Sequence, residues 1–367
     1  MKNFCVYTDS ALGQISKKYM TICYFGIYDP EYSRNKILIQ GLRNNGVKVI
    51  ECNSRLIGLQ KYFDLIKKHW KLRKEYDVII VGFPGYQATI LVKFLTGKPV
   101  IFDAFMSVYD SMVWDRKLVK LKSLKSWYFW FLDWFACKLA DQILLDTNEH
   151  IQYFVETFKI PQSKFIQLFV GSDNTIIYPK KIHKKNNNFL VHFHGRCIPL
   201  QGIEYIIGAA KILKRHNIKF NIIGNSQAYQ EIINLIKKLN LKNISLIDTV
   251  LYKELANYIN CANISLGIFG DTNKAQRVIP NKVFEGIACA KPVITADTPA
   301  IRELFQNREN ILLCKTANSQ DLADKILELK NNSDLLEKIA KNGYILFKEK
   351  LTPKILGKEL FKKIKKI

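Results

Sequence analysis

Two cysteine patterns are missing from this sequence. Its eight cysteines form no Cys-x-x-Cys pair, and none stands at metal-ligand spacing from a histidine. These absences argue against a disulfide-built scaffold and against a structural zinc site, and we expect no metal. The cysteines lie scattered through apolar segments, so we expect reduced thiols and a cytoplasmic location.

Long apolar runs are missing as well. No stretch of about 18 uncharged apolar residues occurs, which predicts no membrane-spanning helix. The polar first 25 residues, with Lys17 and Lys18, do not resemble a signal peptide. Hydrophobic residues make up 48% and charged residues 24% of the 367 residues, a globular composition whose length suits two domains.

Acidic residues are scarce. The chain has 56 Lys and Arg against 32 Asp and Glu, a formal net charge of +24. Such a charge attracts nucleic acid, an anionic bilayer or phosphorylated ligands. A basic nucleic-acid-binding protein is therefore one alternative. Because the lysines are spread along many helices and no recognised binding motif occurs, we expect no nucleic-acid partner.

Strand and helix patterns alternate through most of the chain. Short apolar runs separated by helical patterns predict the strands of parallel sheets. The runs occupy 21–28, 48–53, 77–85, 98–105 and 141–148 in the first half, and 189–195, 219–224, 244–248, 264–269, 292–297 and 310–314 in the second.

The predicted fold class is therefore α/β, with two Rossmann-like, doubly wound domains that face each other across a cleft. The first domain is expected at 1–178 and the second at 189–351, joined by a polar, asparagine-rich linker at 179–188. A basic amphipathic helix at 352–367 is expected to pack back on the first domain. Ligands of such sheets bind at the carboxyl ends of the strands.

The restart of the pattern after the linker carries the first candidate site. In HGRCIPLQG, Gly195 ends a strand and lets the backbone approach a ligand. The forked guanidinium of Arg196 matches the oxygens of a phosphate. Gly26 and Gly224 end two other strands at the same predicted cleft. The competing interpretation of Arg196 is a surface arginine at a strand end.

An acidic side chain in an apolar stretch marks the second candidate site. In RVIPNKVFEGIACAKPV, Glu285 follows a predicted helix start at about 281. A helix N-terminus at the cleft attracts a diphosphate, and Lys282 adds positive charge there. Glu285, one turn further on, can accept two hydroxyl hydrogens from a ribose diol. A capped helix with a surface pair between Lys282 and Glu285 is the competing interpretation.

The stretches HGRCIPLQGIEYIIGAAKIL and IPNKVFEGIACAKPVITADTPAIRELF, about 85 residues apart, together resemble the donor-domain signatures of family 4 glycosyltransferases. The resemblance implies a GT-B fold, a nucleotide-diphosphate sugar as donor substrate, and transfer with retention of configuration, with no cofactor and no required metal. It also implies a glycan or lipid-linked acceptor and a role in bacterial surface polysaccharide synthesis, as in lipopolysaccharide, O-antigen or capsule.

The resemblance assigns expected roles in the donor site. Arg196 matches the family's diphosphate-binding arginine, and Glu285 matches the glutamate that holds the donor ribose. The family often has a lysine where this chain has Gln201, so Lys282, beside Asn281, is expected to replace that charge. Arg196, Lys282 and the helix N-terminus would stabilise negative charge on the leaving diphosphate.

The main departure from the family is at the first glutamate of its paired motif, where this chain has Arg277. Recognition of the transferred sugar is expected to pass to the loop GIFGDTNKAQR, through backbone amides and Asp271 or Lys274. In the first domain, Gly26 follows the first strand near donor and acceptor. Asp103, the third catalytic candidate, is expected to bind an acceptor hydroxyl or the sugar, with a helix cap as the alternative.

Basic and aromatic residues follow each other at 114–140. Four lysines lead into seven aromatic side chains, a combination that suits the interface of an anionic membrane. The alternative is a buried core helix with solvated lysines. We expect a peripheral location on the inner face of the plasma membrane, with the lysine-rich helix at 352–367 as reinforcement.

A nucleotide-sugar epimerase is the enzyme alternative, because it shares the architecture. It needs acid and base residues for proton transfer, and the strand-end histidine available is His194. The pairing of Arg196 with Glu285 favours transfer.

Overall fold

The computed structural model describes residues 20–182, 188–225 and 229–367. They form two six-stranded sheets whose paired strands all run parallel, which confirms the predicted fold class. The strands of the first sheet are β1 (Thr21–Gly26), β2 (Lys48–Asn53), β3 (Val78–Val81), β4 (Val100–Asp103), β5 (Gln142–Leu145) and β6 (Phe165–Gln167). Those of the second are β7 (Phe189–His194), β8 (Ile218–Ile223), β9 (Ile244–Ile247), β10 (Ile264–Leu266), β11 (Val293–Ala296) and β12 (Leu312–Cys314).

Helices connect these strands. Those of the first half are α1 (Ser33–Arg43), α2 (Gln60–Leu72), α3 (Tyr86–Leu95), α4 (Leu124–Leu139) and α5 (Asn148–Phe158), with a π-helix at Asp110–Asp115. Those of the second half are α6 (Ile203–Ile212), α7 (Tyr229–Lys238), α8 (Tyr252–Cys261), α9 (Asn281–Ala288), α10 (Pro299–Arg302), α11 (Ser319–Asn331), α12 (Ser333–Lys350) and α13 (Pro353–Ile364).

Strand order places a reversal point in each sheet. The first sheet has the order β2-β1-β3-β4-β5-β6, and the second has β12-β11-β10-β7-β8-β9. The winding direction changes between β1 and β3 in the first sheet and between β7 and β10 in the second. Parallel sheets bind ligands in the crevice at the carboxyl ends of such strands. The loops that follow β1 and β7 are therefore the places to examine.

Side chains alternate between the two faces of the first sheet. Ile22 and Tyr24 pack with apolar residues of α1 and α13 on one face. Cys23 and Phe25 pack with α2 and α3 on the other face, where α4 and α5 continue the layer along β4 and β5. This alternation follows from the two-residue period of a strand. Three of the helices that connect its strands, α2, α3 and α4, thus lie side by side on one face.

The last helix, α13, packs on α1. Leu356, Leu360 and Ile364 are buried against the first sheet's core. Gly41 of α1 and Gly357 of α13 touch so closely that a Cβ on either would collide with the backbone of the other helix. The apolar side of α13 is used in this contact. The apolar side of this helix is therefore not available to a membrane, and the expected reinforcement of membrane contact by its lysines stays a prediction.

Several boundaries differ from the sequence predictions. Nine of the eleven predicted strands end one to four residues before their predicted carboxyl ends, because the last residues of those apolar runs form the loops at the cleft. Neither α5 nor the three-residue β6 was anticipated, since the pattern is too short to identify β6. Of the expected linker, 183–187 lie outside the described residues. Within the described ranges no helix is both long and apolar enough to cross a bilayer.

Candidate functional site

Two glycines meet at the carboxyl ends of neighbouring strands in the second sheet. Gly195 follows β7 with φ +151°, and Gly224 follows β8 with φ +152°, a region that favours glycine. The Gly195 amide donates to Ile223 O at 2.9 Å. A Cβ on Gly224 would collide with the Gly195 carbonyl, and one on Gly195 would lie 2.7 Å from Lys282 Nζ. Only glycines allow this close approach.

The N-termini of α1 and α9 also meet at the cleft. Asn281 Nδ2, in the first residue of α9, donates to Ser33 Oγ, in the first residue of α1, at 2.7 Å. The N-cap residues Tyr32 and Pro280 provide no side-chain hydrogen bond to their helices. Both first turns therefore lack side-chain caps, and both helix dipoles favour an anion between the two sheets.

Lys282 is a buried side chain whose hydrogen-bond partner is the neutral Gln201. Its Nζ donates to Gln201 Oε1 and lies 3.9 Å from the centre of the Phe193 ring. Burial lowers the pKa of Lys282 to about 7, against a smaller opposing effect of the Glu285 charge. The competing interpretation, a surface pair between Lys282 and Glu285, is wrong, because both side chains are buried and bind other residues. An incoming phosphate would supply the counter-charge that Gln201 does not.

Glu285 is 5% exposed and is held by a histidine from β7. Its Oε2 lies 2.7 Å from His194 Nε2, and His194 Nδ1 lies 3.0 Å from His192 Nε2. The two histidines are two residues apart on a strand and therefore share a face. Tyr252 stands nearby: burial, and next the charge of Glu285, raise the pKa of its hydroxyl above the ordinary value. The Glu285 carboxylate is therefore buried, and His194 holds it in place.

Which atom donates in each of the two hydrogen bonds that link His192, His194 and Glu285 can be deduced. A carboxylate only accepts, so His194 Nε2 donates to Glu285. Burial, together with the charges of His194 and Lys282, lowers the pKa of His192 well below its ordinary value and keeps it neutral. With His192 Nε2 donating to His194 Nδ1, the unpartnered atom is the bare His192 Nδ1. The reverse direction would bury an unpaired N–H, which costs more.

Arg196 is exposed at the turn after Gly195 and faces the first domain. Its charge acts on Tyr32, at the start of α1: burial raises the pKa of Tyr32 to about 12, and the guanidinium opposes that rise. Arg196 therefore stands at the cleft, next to the two helix N-termini. The structure brings together Gly195, Gln201, Gly224, Asn281, Lys282 and Glu285 with Arg196 on the second sheet's side.

Gly26 lies at the corresponding place in the first sheet. It follows β1 with φ +141°, and its carbonyl accepts from the Ser54 amide at 3.2 Å. A Cβ there would meet its neighbours at ordinary contact distance, so the backbone angle is what favours glycine. Its loop leads to the start of α1 and so to the contact with Asn281.

Asp103 lies beneath the cleft surface and not on it. Both Asp103 and Arg34 are fully buried, and Arg34 donates to both carboxylate oxygens at 3.0–3.2 Å. Burial raises the pKa of Asp103, and the Arg34 charge opposes that rise. Arg34 also donates to Leu168 O at 2.9 Å. The expected acceptor contact and the helix-cap alternative are both corrected, because this carboxylate serves an internal ion pair.

The residue at the family's first glutamate position joins the two domains. Arg277 Nη2 lies 2.8 Å from Asp110 of the π-helix, and the guanidinium lies 4.1 Å from the Tyr153 ring centre. Lys274 donates to Ser111 Oγ at 2.7 Å and lies 3.7 Å from Asp115. Both cations of this loop are therefore engaged across the cleft, while Asp271 is exposed.

Sequence reasoning missed several of these partners. Arg34, Asp110 and Ser111 carry no motif, and their roles depend on contacts with residues far along the chain. His192 did carry a usable signal. It alternates with His194 on a predicted strand, and such spacing places both on one face. Among the described residues, no group of three or more His, Cys, Asp or Glu is arranged to hold a metal ion.

Comparison with known proteins agrees with this architecture. Residues 174–345 match the model of the family described as glycosyl transferases group 1. An uncharacterised glycosyltransferase of Methanocaldococcus jannaschii is 27% identical over 226 residues, covering 62% of this chain and 59% of that relative, less than two thirds of its length. The capsular polysaccharide biosynthesis glycosyltransferase CapM of Staphylococcus aureus is 25% identical over 313 residues, with 81% and 78% covered.

Solved structures share the fold over nearly the whole chain. Anabaena HepE, in complex with UDP-glucose, superimposes with a TM-score of 0.70 at 15% identity, covering 95% of this chain and 100% of that one. Sucrose-phosphate synthase from Thermosynechococcus elongatus gives 0.73 at 12% identity, with 95% and 98% covered. These likenesses establish the GT-B fold.

Proposed function

We propose that this chain is a glycosyltransferase that moves a sugar from a nucleotide-diphosphate sugar to an acceptor hydroxyl with retention of configuration. The match of residues 174–345 to the glycosyl transferases group 1 model and the similarity to other glycosyltransferases support the proposal. One observation carries the proposal. Arg196 and Lys282, whose pKa burial lowers, lie near the N-terminus of α9, and that terminus lacks a side-chain cap. Gly195 and Gly224 form the adjoining turns, and His194 holds Glu285 in the same helix.

The diphosphate fits the cationic part of this arrangement. Its oxygens bind Arg196, the first N–H groups of α9 and the Lys282 ammonium, which regains full charge when a phosphate replaces its neutral surroundings. The ribose hydroxyls donate to Glu285, whose carboxylate His194 holds in place. Both halves of the nucleotide diphosphate are then bound by one short helix and one strand end.

Retention follows from the leaving group. The bond between the anomeric carbon and the β-phosphate oxygen breaks, the acceptor oxygen bonds the same carbon on the same face, and the acceptor proton passes to the leaving oxygen. The negative charge that grows on the diphosphate is stabilised by preorganised cations and by the helix dipole. No nucleophilic side chain and no metal ion is needed for this sequence of steps.

The acceptor is a glycan or a lipid-linked glycan at the cytoplasmic face of the plasma membrane, in synthesis of a bacterial surface polysaccharide such as lipopolysaccharide, O-antigen or capsule. The similarity to CapM supports the polysaccharide assignment. Trp127, Tyr128 and Phe131 on α4 are exposed, which supports contact of 114–134 with a membrane over the buried-helix alternative.

The epimerase alternative loses its acid–base candidate in this geometry. His194 uses one ring nitrogen on Glu285 and the other on His192, so neither is available to a substrate carbon.

The test is release of nucleoside diphosphate from a panel of UDP-, GDP-, dTDP- and ADP-sugars, with and without membrane extract as acceptor source. Turnover of one donor, a product of unchanged anomeric configuration by NMR, and loss of turnover in Arg196→Ala are expected. Arg215→Ala, an exposed arginine of the same domain, is the matched control. No turnover of any donor, or an inverted product, would contradict the proposal.

A further inference from the structure

Exposed large apolar side chains are concentrated in one part of the chain. Among the described residues, 18 such side chains are exposed, and 13 of them lie between residues 56 and 131. Soluble proteins seldom group exposed apolar residues in this way unless the surface binds something. The thirteen are Leu56, Ile57, Leu59, Phe63, Trp70, Phe94, Trp114, Leu118, Leu121, Leu124, Trp127, Tyr128 and Phe131.

The fold brings these residues to one side of the molecule. Phe63 and Trp70 lie on α2, Phe94 on α3, and Trp127 and Phe131 on α4. The three helices cover the same face of the first sheet, in the order of the strands they connect. Their inner residues fill the core beneath them, so their exposed residues point outward together.

The outer layer is continuous from α2 to α4. The neighbouring Tyr128 of α4 helps burial to raise the pKa of Tyr62 of α2, which places the two rings near each other. On α4, Trp130 stacks on Trp134 with ring centres 6.1 Å apart, and Phe131 stacks on Phe135 at 5.3 Å. We name the outer side of α2, α3 and α4, with segments 54–59 and 114–123, the α2–α4 face.

The charge of this face selects its partner. Residues 55–75 carry seven Lys or Arg against two Asp or Glu, and residues 114–131 carry five against one. That one acid, Asp115, is buried. Aromatic and leucine side chains surrounded by lysines match a bilayer interface that contains anionic lipids.

We propose that the α2–α4 face is the surface by which the protein docks on an anionic bilayer. This deepens the membrane part of the proposed function on which it rests, because α2 and α3 contribute exposed apolar residues as well as α4, and α13 takes no part through its apolar side. Only the first domain carries the docking surface. The second domain, with the donor-site residues, stays in water and is free to take up a soluble nucleotide sugar.

Flotation of the full chain with vesicles tests this directly. We expect binding to vesicles of phosphatidylcholine with 30% phosphatidylglycerol, and binding to phosphatidylcholine alone that is weaker by a factor of at least about 25, because each lysine near an anionic surface contributes about a fivefold gain in affinity and at least two lysines should act. Raising the salt concentration should weaken binding to the anionic vesicles.

Two double variants divide the face. Phe63→Ser with Trp70→Ser changes only α2, and Trp127→Ser with Phe131→Ser changes only α4; each should lower vesicle affinity about tenfold or more. Leu251→Ser with Ile345→Ser, two exposed residues of the second domain, is the matched control and should bind as the wild type does. Circular dichroism and thermal unfolding check that every variant is folded.

Three outcomes would overturn the proposal. They are absence of flotation in the wild-type protein, full binding by the folded α2 variant, and a dimer that the two face variants convert to monomer without vesicle binding in any of them. Nucleotide-sugar hydrolysis in solution is measured in parallel. Loss of hydrolysis with intact flotation contradicts the proposed transfer alone, and the reverse contradicts the docking surface alone.

Discussion

The strands β4 and β7 each deliver a titratable side chain to the cleft edge of their sheet, and the two side chains meet different surroundings. Asp103, at the end of β4, is fully buried in an ion pair with Arg34 that satisfies both partners. His194, at the end of β7, positions Glu285, while the adjacent Lys282 has only a neutral hydrogen-bond partner. The charge of Asp103 is balanced by Arg34 without a ligand, whereas the charge of Lys282 is not balanced by its neutral partner Gln201.

This difference distinguishes a charged residue that stabilises the fold, such as Asp103, from one that is available to a ligand, such as Lys282. A buried ion pair whose partners are matched contributes to the fold only as long as both partners remain. A buried cation with a neutral partner costs stability and gains from an anion that enters the site. The experiments below test that distinction.

The largest effect is expected from Asp103→Asn. It leaves the Arg34 guanidinium buried without its counter-charge, so the free energy of unfolding should fall by about 3–5 kcal/mol. Urea unfolding measures it. Asp297→Asn removes an exposed partner of Arg302 and should change stability by less than about 1 kcal/mol. If the variant kept its stability but used the acceptor poorly, Asp103 would contact the acceptor in the cleft and the ion-pair role would be contradicted.

Arg196→Ala should show the opposite profile. Because Arg196 is exposed and its proposed partner is a diphosphate, kcat/KM for transfer should fall about 100- to 1000-fold without loss of stability. Steady-state kinetics and thermal unfolding give the two values, with Arg215→Ala as control. Near-normal turnover would remove Arg196 from the phosphate site.

Lys282 should make stability depend on pH. Its pKa is about 7 in the folded chain and near 10.5 when unfolded, so the unfolded chain binds more protons between these values. Stability should rise as the pH rises from about 7 to about 10.5 and be lowest below 7. Lys282→Met should remove this rise, as measured by urea unfolding at pH 6, 8 and 10.

Nucleoside-diphosphate binding should show the reverse trend. The bound phosphate favours charged Lys282, so affinity should fall as the pH rises above 7, with proton uptake on binding. Calorimetry with UDP and GDP in two buffers of different ionisation enthalpy measures this. Binding that is independent of pH between 7 and 9 would contradict the role of Lys282.

Arg277 and Asp110 should be coupled across the cleft. A double-mutant cycle of Arg277→Ala and Asp110→Ala should give an interaction free energy of about 1–3 kcal/mol in thermal or urea unfolding. Strict additivity of the two changes would show that the 2.8 Å contact contributes nothing, and would leave Arg277 available to a sugar.

The smallest effect is expected from the histidine that holds Glu285. His194→Ala should raise the donor KM about tenfold with little change in kcat, because the carboxylate loses a charged hydrogen bond of ordinary strength. His194→Gln keeps a donor nitrogen at a similar reach and should recover part of the loss. Glu285→Ala should weaken donor binding at least as much, and unchanged donor affinity would exclude the ribose contact.

Local sequence was enough for the site on the second sheet. Gly195, Arg196, Lys282 and Glu285 lie in two short stretches, and the strand, turn and helix signals in those stretches fix where each residue stands. It failed for Asp103, because its partner Arg34 is 69 residues away and nothing at either position indicates the other. It also did not predict that His194 holds Glu285, since the helical pattern shows which side is apolar but not what lies opposite.

The amino-acid sequence by itself determined the two doubly wound sheets, the glycines at their carboxyl ends and the cationic residues of the candidate donor site, because periodicity and turn chemistry act over a few residues. Tertiary structure alone decided which charges remain available. Pairing of Asp103 with Arg34, Arg277 with Asp110, and α13 with α1 depends on residues that only the packed sheets bring together. Burial then sets the cost of each unpaired charge.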